Sequence, residues 1–155
     1  MTTLASCALL VDGSTTWHKP LYTALARDGF GSPDTKPLWE LAQRFGADLV
    51  LHGHDHSYQR FEPQDANGRA DPNGLREFIV GTGGVDLRPN LAQVPNLAVA
   101  NGDTFGVLKL TLRPSGYDWQ FVPEVGNGNG TFTDAGSATC SKSRHGQDEQ
   151  RQQER

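Results

Sequence analysis

Cysteine is scarce in this chain. With only Cys7 and Cys140 in 155 residues, at most one internal disulfide can form, and neither a disulfide-built miniature scaffold nor a multi-cysteine zinc site is available. A bridge between the two would close a very long loop and stabilise the fold by roughly 2–4 kcal/mol where geometry allows. Two unpaired thiols are the equal alternative, because nothing in the sequence sets the redox compartment. Positive charge is also short. Fourteen Lys and Arg against eighteen Asp and Glu leave a net charge of −4, with no basic stripe, which excludes a nucleic-acid footprint. No apolar run approaches the roughly 20 residues of a membrane-spanning helix. Leu4-Ala5-Ser6-Cys7 matches the small-residue pattern ahead of a lipid-modified cysteine, but Met1-Thr2-Thr3 supplies neither a basic start nor an apolar stretch. The amino terminus therefore reads as carrying no export signal, with Cys7 to Val11 as a short buried strand and Asp12-Gly13-Ser14 turning out of it. Glycine and proline, at 18 and 9 residues against 35% hydrophobic content, promise many turns around a single core of ordinary size.

What is present is concentrated in one place. Leu49-Val50-Leu51-His52-Gly53-His54-Asp55-His56 drives an apolar strand into a Gly-His-x-His turn, and it holds three of the five histidines. If the backbone stays extended beyond Gly53, His54 and His56 point to one side and can converge on a metal. Neutral imidazole suits zinc, iron, manganese and nickel alike. A histidine-rich loop end without a metal is the plain alternative, and an isolated H-x-H does not decide between them.

The surrounding pattern alternates strands with a helix. Arg27 to Asp34 is rich in turn formers and reads as a mobile loop. A helix follows, capped by Asp34 or Thr35, with Pro37 in its first turn, Leu38, Leu41, Ala42 and Phe45 on one apolar face, and Gly46 ending it. Asp48 to Leu51 is a strand apolar enough to be covered on both faces. Beyond the histidines, a polar loop from Pro63 to Gly74 leads to a strand, Arg76 to Val80, and to Gly81-Thr82-Gly83-Gly84. Those glycines make either a phosphate-binding nest or tight packing beside the site. Packing is the commoner case, and no G-K-[ST] follows to make a Walker loop. Val107 to Leu112 and Tyr117 to Val122, joined by Arg113-Pro114-Ser115-Gly116, form the clearest hairpin. Its Tyr117, Trp119 and Phe121 stripe would stack on sugars if exposed, but such stripes are mostly core and it is taken as core. Gly126 to Gly130 reads as a linker, and the polar segment from Ser141, which includes His145, as a disordered tail. The chain thus divides into one unit at 1–125 and a linker with tail at 126–155.

The segment Trp17-His18-Lys19-Pro20-Leu21-Tyr22, followed by Asp48-Leu49-Val50-Leu51-His52-Gly53-His54-Asp55-His56-Ser57-Tyr58-Gln59-Arg60, resembles the calcineurin-like metallophosphoesterases, most closely their purple acid phosphatase-like branch. The resemblance runs from about Trp17 to Cys140 and covers only the carboxy-terminal half of such a domain. It implies an α/β (α+β) fold, half of a four-layer β-sandwich flanked by helices and ending in a β-hairpin. It also implies hydrolysis of phosphate monoesters or diesters by two metal ions, of iron, zinc or manganese, about 3.5–4 Å apart. By motif position, His18 and His54 look like ligands of one metal and His56 of the other. His52 is either a donor that orients a ligand or the last residue of its strand. Asp55 is expected to point away and fix the turn, while Tyr58 and Arg60 extend the match. Arg60 would suit a phosphate bidentately, although a structural salt bridge is the commoner role. Relatives of this branch are often secreted.

The family's D-x-H, G-D-x-x-D and G-N-H-[DE] motifs are missing. Asp12-Gly13-Ser14 has serine where a histidine should stand, and Gly102-Asp103-Thr104-Phe105-Gly106 lacks the second aspartate. Without a bridging carboxylate two neighbouring cations repel. The expectation is therefore a partial site, completed by an amino-terminal half or a second chain. The alternatives are a metal-binding or interaction module without catalysis, or a carbohydrate-binding piece using the aromatic stripe.

Overall fold

The computed structural model describes residues 14–25 and 31–140. The expected strand at Cys7 to Val11, the first half of the loop from Arg27 and the tail from Ser141 lie outside these residues. Two sheets face each other. The first has five strands, β1 (Ser14–Thr16), β2 (Leu49–His52), β3 (Tyr58–Phe61), β4 (Arg76–Val80) and β5 (Leu97–Asn101), in the order β1-β2-β4-β3-β5. β1, β2 and β4 run parallel, and β3 is antiparallel to both β4 and β5. The second sheet is antiparallel, β6 (Thr104–Arg113), β7 (Gly116–Gly128) and β8 (Ala135–Thr139), in that order. A 3₁₀ turn (Pro33–Thr35) and helix α1 (Lys36–Arg44) connect β1 to β2, as a parallel pair requires a crossover.

Alternation along the strands divides the side chains between two cores. Leu49, Tyr58 and Phe78 face the second sheet and meet Tyr117, Trp119 and Phe121. Val50 points to the other face, where it joins Leu21, Trp39, Ala42, Ala47, Ala66 and Leu75 beneath the helix. The aromatic stripe of β7 is therefore core, which removes it as a sugar-stacking surface. An ionic knot joins the sheets within the first core. Asp134 accepts hydrogen bonds from Arg60 Nε (2.7 Å), Arg60 Nη2 (3.3 Å), the Tyr58 hydroxyl (2.7 Å) and Trp119 Nε1 (3.2 Å).

Three expectations change. The helix buries Trp39 and Ala42, whereas Leu38, Leu41 and Phe45 stay 46%, 49% and 39% exposed. They line an apolar groove with Thr15, Thr16 and Trp17, because the bulk of Trp39 turns the helix towards Tyr22 instead, with the rings edge to face at 5.2 Å. Thr35 stands at the cap position, yet its hydroxyl donates to the Ser32 carbonyl rather than accepting from the helix. Finally, the expected boundary at residue 125 falls inside β7, and residues 135–139 add a third strand to the hairpin. The glycine-rich stretch is the end of β7, followed by residues tied down by the Asn129 N–H on the Asp103 carbonyl, and is not a linker. Cys140 is disulfide-bonded, and Cys7 lies outside the described residues.

Candidate metal centre

β2 ends at His52, and the backbone does not stay extended after it. The Asp55 N–H donates to the Gly53 carbonyl (2.7 Å) and the Ser57 N–H to the Asp55 carbonyl (2.8 Å). Each bond spans two residues, so His54 and His56 each sit at the centre of a three-residue turn. His54 has φ of 64°, in the left-handed region that a side chain other than glycine's seldom enters. The two histidines therefore leave the chain separately. His56 turns its Nδ1 towards Asp86 Oδ1 at 3.4 Å. His54 instead meets His18, 36 residues earlier: His54 Nδ1 and His18 Nε2 are 3.1 Å apart, with the rings edge to face.

This pairing depends on how the segment 17–24 is held against the first sheet. Four buried polar side chains hold it. His52 Nδ1 lies 2.9 Å from the Trp17 carbonyl. Glu77, on β4, faces the backbone N–H of Tyr22, which favours its charged form, and stands 3.2 Å from His52 Nε2. Asp55 accepts a short hydrogen bond from the Thr23 hydroxyl. Gln59 accepts from the Ala24 N–H at 2.7 Å and donates to Ser57 Oγ at 2.9 Å. Burial holds the Glu77 carboxyl above its ordinary range, with His52 pulling it the other way. Gly81 closes the floor. A Cβ there would overlap the Asp55 carbonyl oxygen, so glycine is what lets β4 run out beside the histidine turns.

The other residues that the motifs single out are placed elsewhere. Tyr58 and Arg60 sit on the opposite face of β3 from Gln59 and are bound to Asp134 between the sheets. Arg60 is thus in a bidentate salt bridge and its guanidinium stays charged despite burial. Asp134 would be raised by burial, but hydrogen bonds from Arg60 and Tyr58 outweigh that and hold it below the usual carboxylate range. His52 is both the last residue of β2 and a buried hydrogen-bonding group. The sequence reading missed Glu77 and Asp86. A glutamate amid Arg76, Phe78, Ile79 and Val80 was itself a signal, because a charge placed in a buried strand needs a partner.

The donor set fits one metal better than two. Two imidazole nitrogens bound to one tetrahedral ion at 2.0–2.1 Å stand about 3.3 Å apart, close to the 3.1 Å between His18 and His54. Among the described residues, no group of three or more His, Cys, Asp or Glu is gathered closely enough to hold an ion. The extended-backbone expectation that joined His54 to His56 is thereby corrected. A binuclear centre does not fit these residues alone.

No family model matches the chain. Its sequence is similar to purple acid phosphatase 21 of Arabidopsis thaliana, 40% identical over 68 residues, covering 43% of this chain and 15% of the relative. Two further Arabidopsis proteins, probable inactive purple acid phosphatases 1 and 24, are 29% and 31% identical over 90 residues, each match covering 52% of this chain and 14% of the relative. Among solved structures, the fold matches purple acid phosphatase PPD1 from yellow lupin (Lupinus luteus) seeds, with a TM-score of 0.66 and 21% identity, over 81% of this chain and 24% of that one. It also matches GAP50, the anchor in the inner membrane complex of Plasmodium, with a TM-score of 0.58 and 19% identity, over 82% and 36%. The chain spans about a seventh of the length of the curated relatives it matches. In sequence and in fold it is similar to part of the purple acid phosphatases, the branch that its histidine motifs resemble.

Proposed function

We propose that this chain carries the histidine side of a metal-dependent phosphate-ester hydrolase. The observation behind the reading is the approach of His18 Nε2 to His54 Nδ1 across 36 residues of sequence. Those two nitrogens hold one ion, and His56 is left to serve a second. An ion held there supplies Lewis-acid polarisation to a phosphoryl oxygen. The chain's own residues supply position. His52, Glu77, Asp55 and Gln59 hold the segment bearing His18, while the two tight turns present His54 and His56 separately. The bridging carboxylate and the remaining ligands of a binuclear site come from an amino-terminal half or a second chain. The substrate class is phosphate monoesters, with diesters as the wider range.

A second reading, a metal-binding or interaction module without catalysis, is favoured by the missing carboxylate motifs and by the two relatives named as probably inactive. Cobalt titration of the purified chain, alongside aryl phosphate hydrolysis with added manganese, zinc or iron, separates the possibilities. The proposal expects one ion per chain, bound through His18 and His54 and lost in His18→Ala and His54→Ala. It also expects no turnover until a polypeptide bearing the missing carboxylates is added. Two ions per chain with turnover by the chain alone would mean a complete site. A chain that binds no ion would end the metal reading.

A further inference from the structure

Resting on the reading of His18 and His54 as co-ligands, we propose that the buried His52–Glu77 pair is the positioning device that sets the distance between them. Both side chains are fully enclosed, at 0% exposure, and neither belongs to the ligand set. Enclosed polar groups of this kind are costly unless they face one another and something else. Here the something else is a single stretch of backbone. The Trp17 carbonyl can only accept, so the nitrogen 2.9 Å from it, His52 Nδ1, carries a proton and donates it. That fixes the orientation of the ring and leaves Nε2 to face Glu77 Oε1 at 3.2 Å. Glu77 in turn faces the backbone N–H of Tyr22, whose partial positive charge favours the carboxylate. The pair thus grips the segment 17–22 at both ends, and His18 stands between the two points of attachment.

The geometry of the ring environment agrees with a fixed pose. The Trp17 indole packs edge to face on the His52 imidazole at 4.8 Å, so the ring cannot rotate without displacing Trp17. The strands that carry the pair are neighbours, with His52 opposite Ile79 and Leu51 opposite Phe78 in the parallel register of β2 and β4. The grip is therefore mounted on the rigid centre of the sheet rather than on a loop. It also explains the histidine at position 52. A small or apolar residue there would leave the Trp17 carbonyl and Glu77 without their shared partner.

His52→Phe keeps a ring against Trp17 but removes the hydrogen bonds. In NMR spectra of the full chain, the wild type is expected to show a through-space cross-peak between the His18 and His54 rings and a protected His52 Nδ1–H. His52→Phe is expected to lose the cross-peak, to exchange the amides of residues 17–22 at least about tenfold faster, and to bind cobalt about 10–100-fold more weakly. The amides of β6 and β7 should stay as protected as before. Glu77→Met reads the same prediction should His52→Phe not fold, and Glu77→Gln, whose amide can donate to Nε2, is expected to keep the cross-peak. Persistence of the cross-peak in both folded apolar variants would overturn the proposal. A wild type that shows the cross-peak and the protected Nδ1–H but binds no cobalt would overturn the co-ligand reading instead, leaving the positioning role to be judged on the cross-peak.

Discussion

At the scale of single residues, the site depends on backbone and side-chain conformations that would be unfavourable in isolation. His54 occupies left-handed backbone at φ of 64°, which costs an L-residue roughly 1–2 kcal/mol and glycine almost nothing. His54→Gly is therefore expected to be more stable to urea than His54→Ala by about 1 kcal/mol, with both equally unable to bind metal. Equal stabilities would show that the turn relaxes around alanine. Asp134 is the other pivotal residue, since it takes hydrogen bonds from Arg60, Tyr58 and Trp119 at once. Its carboxyl is held below the ordinary value of about 3.9. The stability it contributes is present above that ordinary value and is lost as pH falls through the lowered one. Asp134→Asn should cost about 3 kcal/mol at neutral pH, because a nearly buried Arg60 loses its buried counter-charge and keeps only the exposed Glu62. Urea titrations from pH 7 down to pH 3 should show the gap to wild type closing below about pH 4.

At the scale of elements, helix α1 shows how one bulky side chain redirects a whole segment. The spacing of Leu38, Leu41, Ala42 and Phe45 marks an apolar face correctly as a pattern, but the structure seats Trp39 and Ala42 and leaves the leucines half-exposed. The two roles separate by mutation. Trp39→Ala is expected to cost about 3–5 kcal/mol. Leu38→Glu with Leu41→Glu should change stability by no more than about 0.5 kcal/mol, and sedimentation should show less self-association than wild type, because these leucines border β1, an edge strand among the described residues. A large loss of stability in the double variant would mean that the groove is part of the core. The second sheet was half legible. The β6–β7 hairpin follows from alternation and the Pro114-Ser115 turn, whereas β8 carries small residues that only pairing with β7 makes into a strand.

At the scale of the whole molecule, a single pair of facing histidines predicts a particular response to metal. A ligand that binds only the folded chain stabilises it by about 2.7 kcal/mol at a hundred times its dissociation constant. Zinc or cobalt should therefore raise the unfolding midpoint of the wild type, with one ion bound, and should leave His18→Ala and His54→Ala where they are. An increase that persists in both variants would locate the ion elsewhere.

The sequence by itself determined the strands whose alternation and length are unambiguous, the core role of Tyr117, Trp119 and Phe121, and the identity of the histidine motifs. Local pattern is enough for these, because period and composition are properties of neighbouring residues. The pairing of His18 with His54 instead of His54 with His56 was decided only by the tertiary structure. Two tight turns break the alternation after His52, and the partner is brought from 36 residues away by hydrogen bonds to His52, Asp55 and Gln59. The same holds for Arg60, whose motif position suggested an anion but whose partner, Asp134, arrives from the other sheet. Such contacts join residues that are distant in sequence, and only the packing of the two sheets puts them within reach.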